Sequence, residues 1–472
     1  MMNDFMFLPQ PRVIEDKNSD YSPGLNSFIH IKSEIPQKLL FTAGQLAETM
    51  QEKWLRPWKI SASRSLPESQ NKIALCLDPH AISHPQGYRI QIDPDQIEIT
   101  ANDYPGLFYG VQTLRQLIAQ SSNQRIPCMN ILDWPDFPVR GVMLDISRDK
   151  VYTLETLFLL VDEFAGWKIN QLQLYMEHTF AYRGHKTVWQ DASPITPEEI
   201  MKLDRFCAER FIELVPNQNS LGHMSRWLKH GEYQHLAETT EPVQTPWGDV
   251  QEEPFSLAPT QPETLAFITE LYDQLLPNFS SSQINVGCDE TFDIGAGKSK
   301  AAVEAHGTGQ VYLDYLLALH WDLSRRGYQM QFWGDIILEH PDLIPQIPED
   351  VIALDWGYEA DHPFETETKR FKEASIPFYV CPGTSSWNSL AGRVSNMLEN
   401  CQSAAHAGLQ NGAVGYLNTD WGDNGHWQQL PISYPGFVAG AAFSWCLESN
   451  QEFHLEAILN EIVFADSARQ IG

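Results

Sequence analysis

From Val139 onward, eight short apolar runs alternate with helix-patterned stretches, and this alternation constrains the fold more than any other feature of the 472-residue chain. The runs are GVMLDIS, QLQLYM, FIELVPN, INVG, MQFWGD, VIALDW, FYVCPG and AVGYLN. Continuous apolar strands separated by helices belong to parallel sheets covered on both faces, and eight such units predict an α/β fold, a (β/α)8 TIM barrel. Two helix starts, TPEE at 196–199 and TQPE at 260–263, read as capping boxes in which threonine and glutamate satisfy each other's backbone donors. The earlier part of the chain has a different pattern. KIALCL, YRIQI and QIEIT are strand-like, and residues 106–119 repeat their apolar positions at helical spacing, which predicts a small α+β domain. The proline-bearing segment DWPDFP, residues 133–138, reads as the linker between an N-terminal domain at 1–134 and a barrel domain at 135–472.

Composition narrows the partners. A formal charge of −29, from 61 acidic against 32 basic residues, repels phosphate backbones and anionic membranes, so neither nucleic acid nor a membrane is expected. No uninterrupted apolar stretch is long enough to span a bilayer, and the first residues lack a basic and apolar leader, which places the expected location in the cytoplasm. The seven cysteines show no CxxC spacing and read as buried thiols; an oligomer is compatible with the sequence. Neither His178 nor His223 belongs to an HxxxH or HExxH pair, so no metal is expected. No cofactor is expected either, because GAGKS at 295–299 would complete a phosphate loop only with glycine where Phe292 stands.

In a barrel, polar residues just after each strand converge on the C-terminal rim, where such folds keep their chemistry. The strand ends give Asp145 and Arg148, Glu177 and His178, Asn217 with Gly222 and His223, Asp289 and Glu290, Trp333 with Asp335, Trp356, Trp387 with Asn388, and Asp420 and Trp421 with Asp423. Carboxylates, histidines and indoles in a ring suit a sugar, since indoles stack on pyranose C–H faces while carboxylates bind hydroxyls and carry protons. An Asp-Glu pair is more commonly an exposed helix start, and each tryptophan alone is as easily a packing residue. After a glycine at a barrel strand end, Asp289 and Glu290 are better read as a catalytic pair, one holding a substrate group while the other delivers a proton.

PVRGVMLDISR at 138–148, KIN at 168–170, Gly222-His223, GCDE at 287–290 and the helical GLFYGVQTLRQLI at 106–118 together resemble glycoside hydrolase family 20, the β-N-acetylhexosaminidases. The resemblance implies exo-acting removal of terminal GlcNAc or GalNAc with retention, in which the substrate's own 2-acetamido oxygen attacks the anomeric carbon to form an oxazolinium. It implies that Glu290 is general acid and then base, that Asp289 holds the acetamido N–H, and that Arg140 grips outer hydroxyls. It further implies His223 supporting the acid, Glu177 or His178 in the same network, Trp333 and Trp356 walling the acetamido pocket, Trp421 under the sugar, and Asp423 on its hydroxyls. Two departures mark a divergent branch. CPGTSSWN at 381–388 lacks the family's Tyr-x-Asp, leaving Trp387, Asn388 or Tyr416 to substitute, and YMEHTFAY at 175–182 is poor in aspartate. A barrel glycosidase for other β-linked sugars and an inactive carbohydrate-binding barrel are the alternatives.

Overall fold

The structure, a computed structural model, describes residues 5–24, 27–64, 72–121 and 123–472. The N-terminal domain is one seven-stranded sheet of β1 (Val13–Tyr21), β2 (Phe28–Lys32), β3 (Lys59–Ala62), β4 (Lys72–Leu77), β5 (Tyr88–Asp93), β6 (Gln96–Ala101) and β7 (Ile126–Asp133), in the order β1-β7-β5-β6-β4-β2-β3. Helices α1 (Leu40–Trp54) and α2 (Tyr104–Gln120) pack together against it. The predicted helix at 106–119 is α2, started by Asp103, whose carboxylate accepts from the Gly106 N–H at 2.7 Å. Its Leu107, Val111, Leu114, Leu117 and Ile118 are buried, each removal from water contributing about 1.5–3 kcal/mol.

The eight apolar runs close into a parallel barrel: β8 (Val139–Asp145), β9 (Gln171–Met176), β10 (Glu213–Gln218), then, after a short β11–β12 ribbon (Val243–Gln244 and Val250–Gln251), β13 (Gln283–Asn285), β14 (Gln329–Trp333), β15 (Ile352–Trp356), β16 (Phe378–Cys381) and β17 (Gly415–Asp420). β17 pairs with β8 from Gly415 opposite Val139 to Asp420 opposite Leu144, which seals the ring. The interior is layered. An amide layer centres on Gln173, which donates to Gln331 at 2.8 Å and accepts from Asn217 at 3.0 Å and Asn285 at 3.1 Å. Asn217, read as a rim residue, therefore faces the barrel interior. Met143, Tyr175, Trp333, Leu354, Leu417 and Trp421 belong to the apolar and aromatic filling. Among the described residues no helix is long and apolar enough to cross a membrane.

Of the two predicted capping boxes, one forms. Thr196 accepts from the Glu199 N–H at 3.3 Å while Glu199 accepts from the Thr196 N–H at 2.8 Å. The other does not, because Pro262 takes the first helical position and makes Gln261 the cap, leaving Thr260 one residue outside the helix.

The expected linker is pinned rather than loose. Asp133 is fully buried and accepts from the Lys168 ammonium at 3.1 Å, the Tyr88 hydroxyl at 2.5 Å and the Trp445 indole at 2.9 Å. Arg140, expected to grip sugar, lies beside it at the opposite end of β8 from the rim. Its guanidinium donates to the Lys168, Phe137 and Pro138 carbonyls and to Gln86, and it lies over the rings of Tyr109 and Trp445. Arg140 is the second residue of β8, so the strand carries it to the N-terminal end, where it fastens the barrel floor to the small domain.

Candidate active site

After β13 the chain turns sharply. Gly287, Cys288 and Glu290 have φ of 70°, 69° and 49°, and two of these three are not glycine, which is backbone strain of the kind stored at working sites. Gly287 is required, since a Cβ there would lie 2.6 Å from the Asn219 side chain. Gly222 has a matching role: a Cβ on it would meet the Asp289 carbonyl oxygen at 2.4 Å. The loops after β10 and β13 thus touch backbone to backbone.

That contact delivers a polar cluster. Asp289 is buried and accepts from the Asn219 amide at 2.8 Å. His223 Nε2 lies 3.1 Å from Asp289 Oδ2 and 3.2 Å from Glu290 Oε2, shared between the two carboxylates without a well-aligned hydrogen bond to either. Burial opposes protonation of His223, but the two carboxylates outweigh it and raise its pKa to about 10. Burial would raise Asp289, yet the His223 charge and the Asn219 amide hold it below the usual carboxylate value. Glu290 is about one-third exposed at the side chain, and its backbone N–H donates to Asp335 Oδ2 at 2.9 Å. Asp335 is raised by burial and then by the Asp289 charge, and it also accepts from the Trp356 indole at 3.3 Å. The ligating atoms of His223, Asp289 and Glu290 lie within 4.8 Å of one another, with the imidazole paired to both carboxylates.

Around it opens a cleft of about 360 Å³, mouth included, lined by Arg148, His223, Asp289, Glu290, Trp333, Trp356, Tyr358, Trp421 and Asp423. Arg148 lies 3.2 Å from Asp145 and 3.3 Å from Glu177, over the rings of Tyr175 and Trp421. Trp356 stacks on Tyr358 at 5.2 Å, and the Trp421 indole donates to the Tyr358 hydroxyl at 2.7 Å.

Of the residues expected at the site, Asp289, Glu290, His223, Trp333, Trp356, Trp421 and Asp423 line the cleft. Glu177 stands behind it, accepting from Tyr175 at 3.1 Å, with burial pushing its pKa up. His178 turns away into a separate cleft beside Arg226 and Lys229; burial, then those cations, bring its pKa down to about 4. Trp387 packs edge-on behind Tyr358 at 5.1 Å. Asn388 is exposed and accepts from Asn424 at 3.0 Å. Tyr416 is buried, its hydroxyl on the Cys401 carbonyl. Three residues absent from the expected set belong to the site's surroundings: Arg148 and Tyr358 line the cleft, and Asn219 stands behind Asp289. The rim rule already marked Arg148, and Tyr358 follows β15 by two residues, so the sequence carried signals for both.

Residues 6–134 match glycosyl hydrolase family 20, domain 2, and residues 137–371 match the glycosyl hydrolase family 20 catalytic domain. The chain belongs to glycoside hydrolase family 20. Within the family it is 28% identical over 226 residues to a β-hexosaminidase of Akkermansia muciniphila, covering 43% of this chain and 45% of that one. It is 27% identical over 239 residues to human hexosaminidase D, covering 48% and 46%. The aligned part thus spans about half the length of these relatives. The fold matches Flavobacterium johnsoniae chitobiase with a TM-score of 0.79 at 18% identity, over 98% of this chain and 74% of that one. The catalytic-domain match ends at residue 371, before β16 and β17, so Trp421 and Asp423 enter this family 20 cleft from beyond the matched stretch.

Proposed function

We propose that the protein is an exo-acting β-N-acetylhexosaminidase that removes terminal non-reducing GlcNAc or GalNAc by a retaining, substrate-assisted reaction. The observation that carries the reading is the Asp289–His223–Glu290 cluster at the base of an indole-walled cleft. Asp289, held ionised by His223, accepts the acetamido N–H and opposes the positive charge that grows on the ring. Glu290, at the open side, gives its proton to the departing glycosidic oxygen while the acetamido oxygen attacks the anomeric carbon. It then takes a proton from the water that opens the oxazolinium. No side chain is needed as nucleophile, which is why both carboxylates of the pair serve other roles.

Trp333, Trp356 and Trp421 offer faces to the pyranose and its N-acetyl arm, while Arg148 and Asp423 present polar groups to its hydroxyls. The Tyr358 hydroxyl accepts from Trp421 and has Thr419 beside it, and turned into the cleft its proton braces the acetamido oxygen, the role left open by CPGTSSWN. We further propose a cytoplasmic location, a reading supported by all seven cysteines being unpaired and buried.

Aryl β-glycosides with and without a 2-acetamido group test the reading. Hydrolysis confined to the acetamido substrate, with inhibition by a thiazoline mimic of the intermediate, is expected. Equal cleavage of both sugars would refute it.

A further inference from the structure

We propose that Asp355, His362 and Glu367 form a site for a divalent transition-metal ion of the zinc class, fastening the segment that carries Trp356 and Tyr358. The cluster lies outside the cleft. Ile352 and Leu354 of β15 fill the barrel interior, so strand alternation turns Asp355 outward, under the helix Phe364–Glu373 that bears Glu367.

Asp355 is fully buried and no N–H or hydroxyl donor reaches either of its carboxylate oxygens, while Glu367 stands close enough to share a proton with it. Other carboxylates just as buried have donors: Asp133 accepts from Lys168, Tyr88 and Trp445, Asp145 from the Ser147 and Gly422 N–H groups, and Asp420 from Thr384 and Ser386 at one of its two oxygens. A buried carboxylate without donors is costly, and a bound cation removes the cost. The candidate ligands are at hand. One ligating atom each from Asp355, His362 and Glu367 lies within 4.8 Å of the others. His362 Nε2 is 2.9 Å from Glu367 Oε2 yet makes no directed hydrogen bond.

The imidazole is positioned by its surroundings. Its ring lies so close over Gly357 that a Cβ there would meet it at 2.2 Å, and it packs edge-on to Phe364 at 4.4 Å. His362 and Glu367 keep 19% and 22% of their side-chain surface exposed, while the His362 Nε2 atom itself is turned inward toward Glu367. His362 also borders a cleft of about 1180 Å³, mouth included, that Asp361, Glu365 and Glu399 make attractive to cations, which supplies an entry path. One imidazole with two carboxylates suits zinc and its neighbours; magnesium and calcium prefer all-oxygen shells, and copper(I) prefers sulfur. Two carboxylates and a neutral imidazole also match the ion's double charge. The ion would tie β15 to the helix behind it across the turn holding Trp356 and Tyr358, and it would do so whatever reaction the cleft performs.

The test uses the full chain, stripped with EDTA, dialysed and titrated with zinc chloride, with metal content and thermal unfolding as readouts. The expected result is one zinc per chain and a melting temperature a few degrees above that of the stripped protein. Both effects should be lost in His362→Ala and in Glu367→Gln, each folded by circular dichroism, and kept in His223→Ala. No stoichiometric uptake would overturn the site in favour of a proton shared by Asp355 and Glu367. Uptake retained at full affinity by either of the first two variants, or abolished by His223→Ala, would overturn it as well.

Discussion

The two ends of the barrel both bury charge, but they manage it differently. At the floor, Arg140 donates to four acceptors and Asp133 receives five donors, the Arg12 and Trp134 N–H groups as well as Lys168, Tyr88 and Trp445, so both buried charges there are matched. At the rim, His223 is shared between two carboxylates without a directed bond to either, Trp333 has a partnerless indole N–H, and Cys288 and Glu290 hold strained backbone. Matched charge gives a fastener, whereas unmatched charge on a strained scaffold gives a receptive surface. The family motifs divide along the same line: PVR and KIN belong to the fastener, and GH and GCDE to the receptive end.

The contrast can be broken most directly at the rim. Glu290→Gln should lower turnover of an aryl β-N-acetylglucosaminide about 10²–10⁴-fold while the unfolding midpoint stays within experimental scatter. The mirror experiment at the floor is Lys168→Met, which strands Asp133 in the interior. Denaturant unfolding should show a loss of about 3–5 kcal/mol, with kcat per folded molecule unchanged. If Lys168→Met instead slows the reaction without destabilising the chain, the division into fastener and site is wrong.

Tyr358→Phe should cut kcat about 100-fold, as expected for loss of one donor aimed at a reacting oxygen, and KM should change less. A smaller effect comes from pH. Because the pKa of His223 is raised in the folded state from 6.5 to about 10, its stabilisation is complete below about 6.5 and fades as pH climbs toward 10. Thermal melts across that window should fall in the wild type, and the slope should be shallower in His223→Gln.

All eight barrel strands were legible because a strand buried on both faces must be apolar almost throughout, and from Val139 onward such runs recur with helix-patterned stretches between them. The small domain was half legible. β4, β5 and β6 announce themselves, but β1, VIEDKNSDY, is a largely exposed edge strand without a clean alternation, and β7 carries a proline. At the site, the carboxylate pair and the indoles could be read because strand ends point to one rim. Arg140 was misplaced because resemblance named it while its position at the start of β8 argued for the floor. Asn219 escaped because β10 runs on to Gln218, which moved the usable strand end two residues beyond Asn217. Thr260 failed as a cap because spacing alone does not say which residue the proline makes first.

The close approach of Gly222 to the Asp289 carbonyl couples two segments that are distant along the chain. Anyone transplanting the histidine loop from a homologous enzyme, or randomising it in a library, would be altering the seat on which the carboxylate pair rests. The pair of loops is the smallest exchangeable part, and chimeras or directed-evolution schemes that cut between them should yield folded, silent proteins.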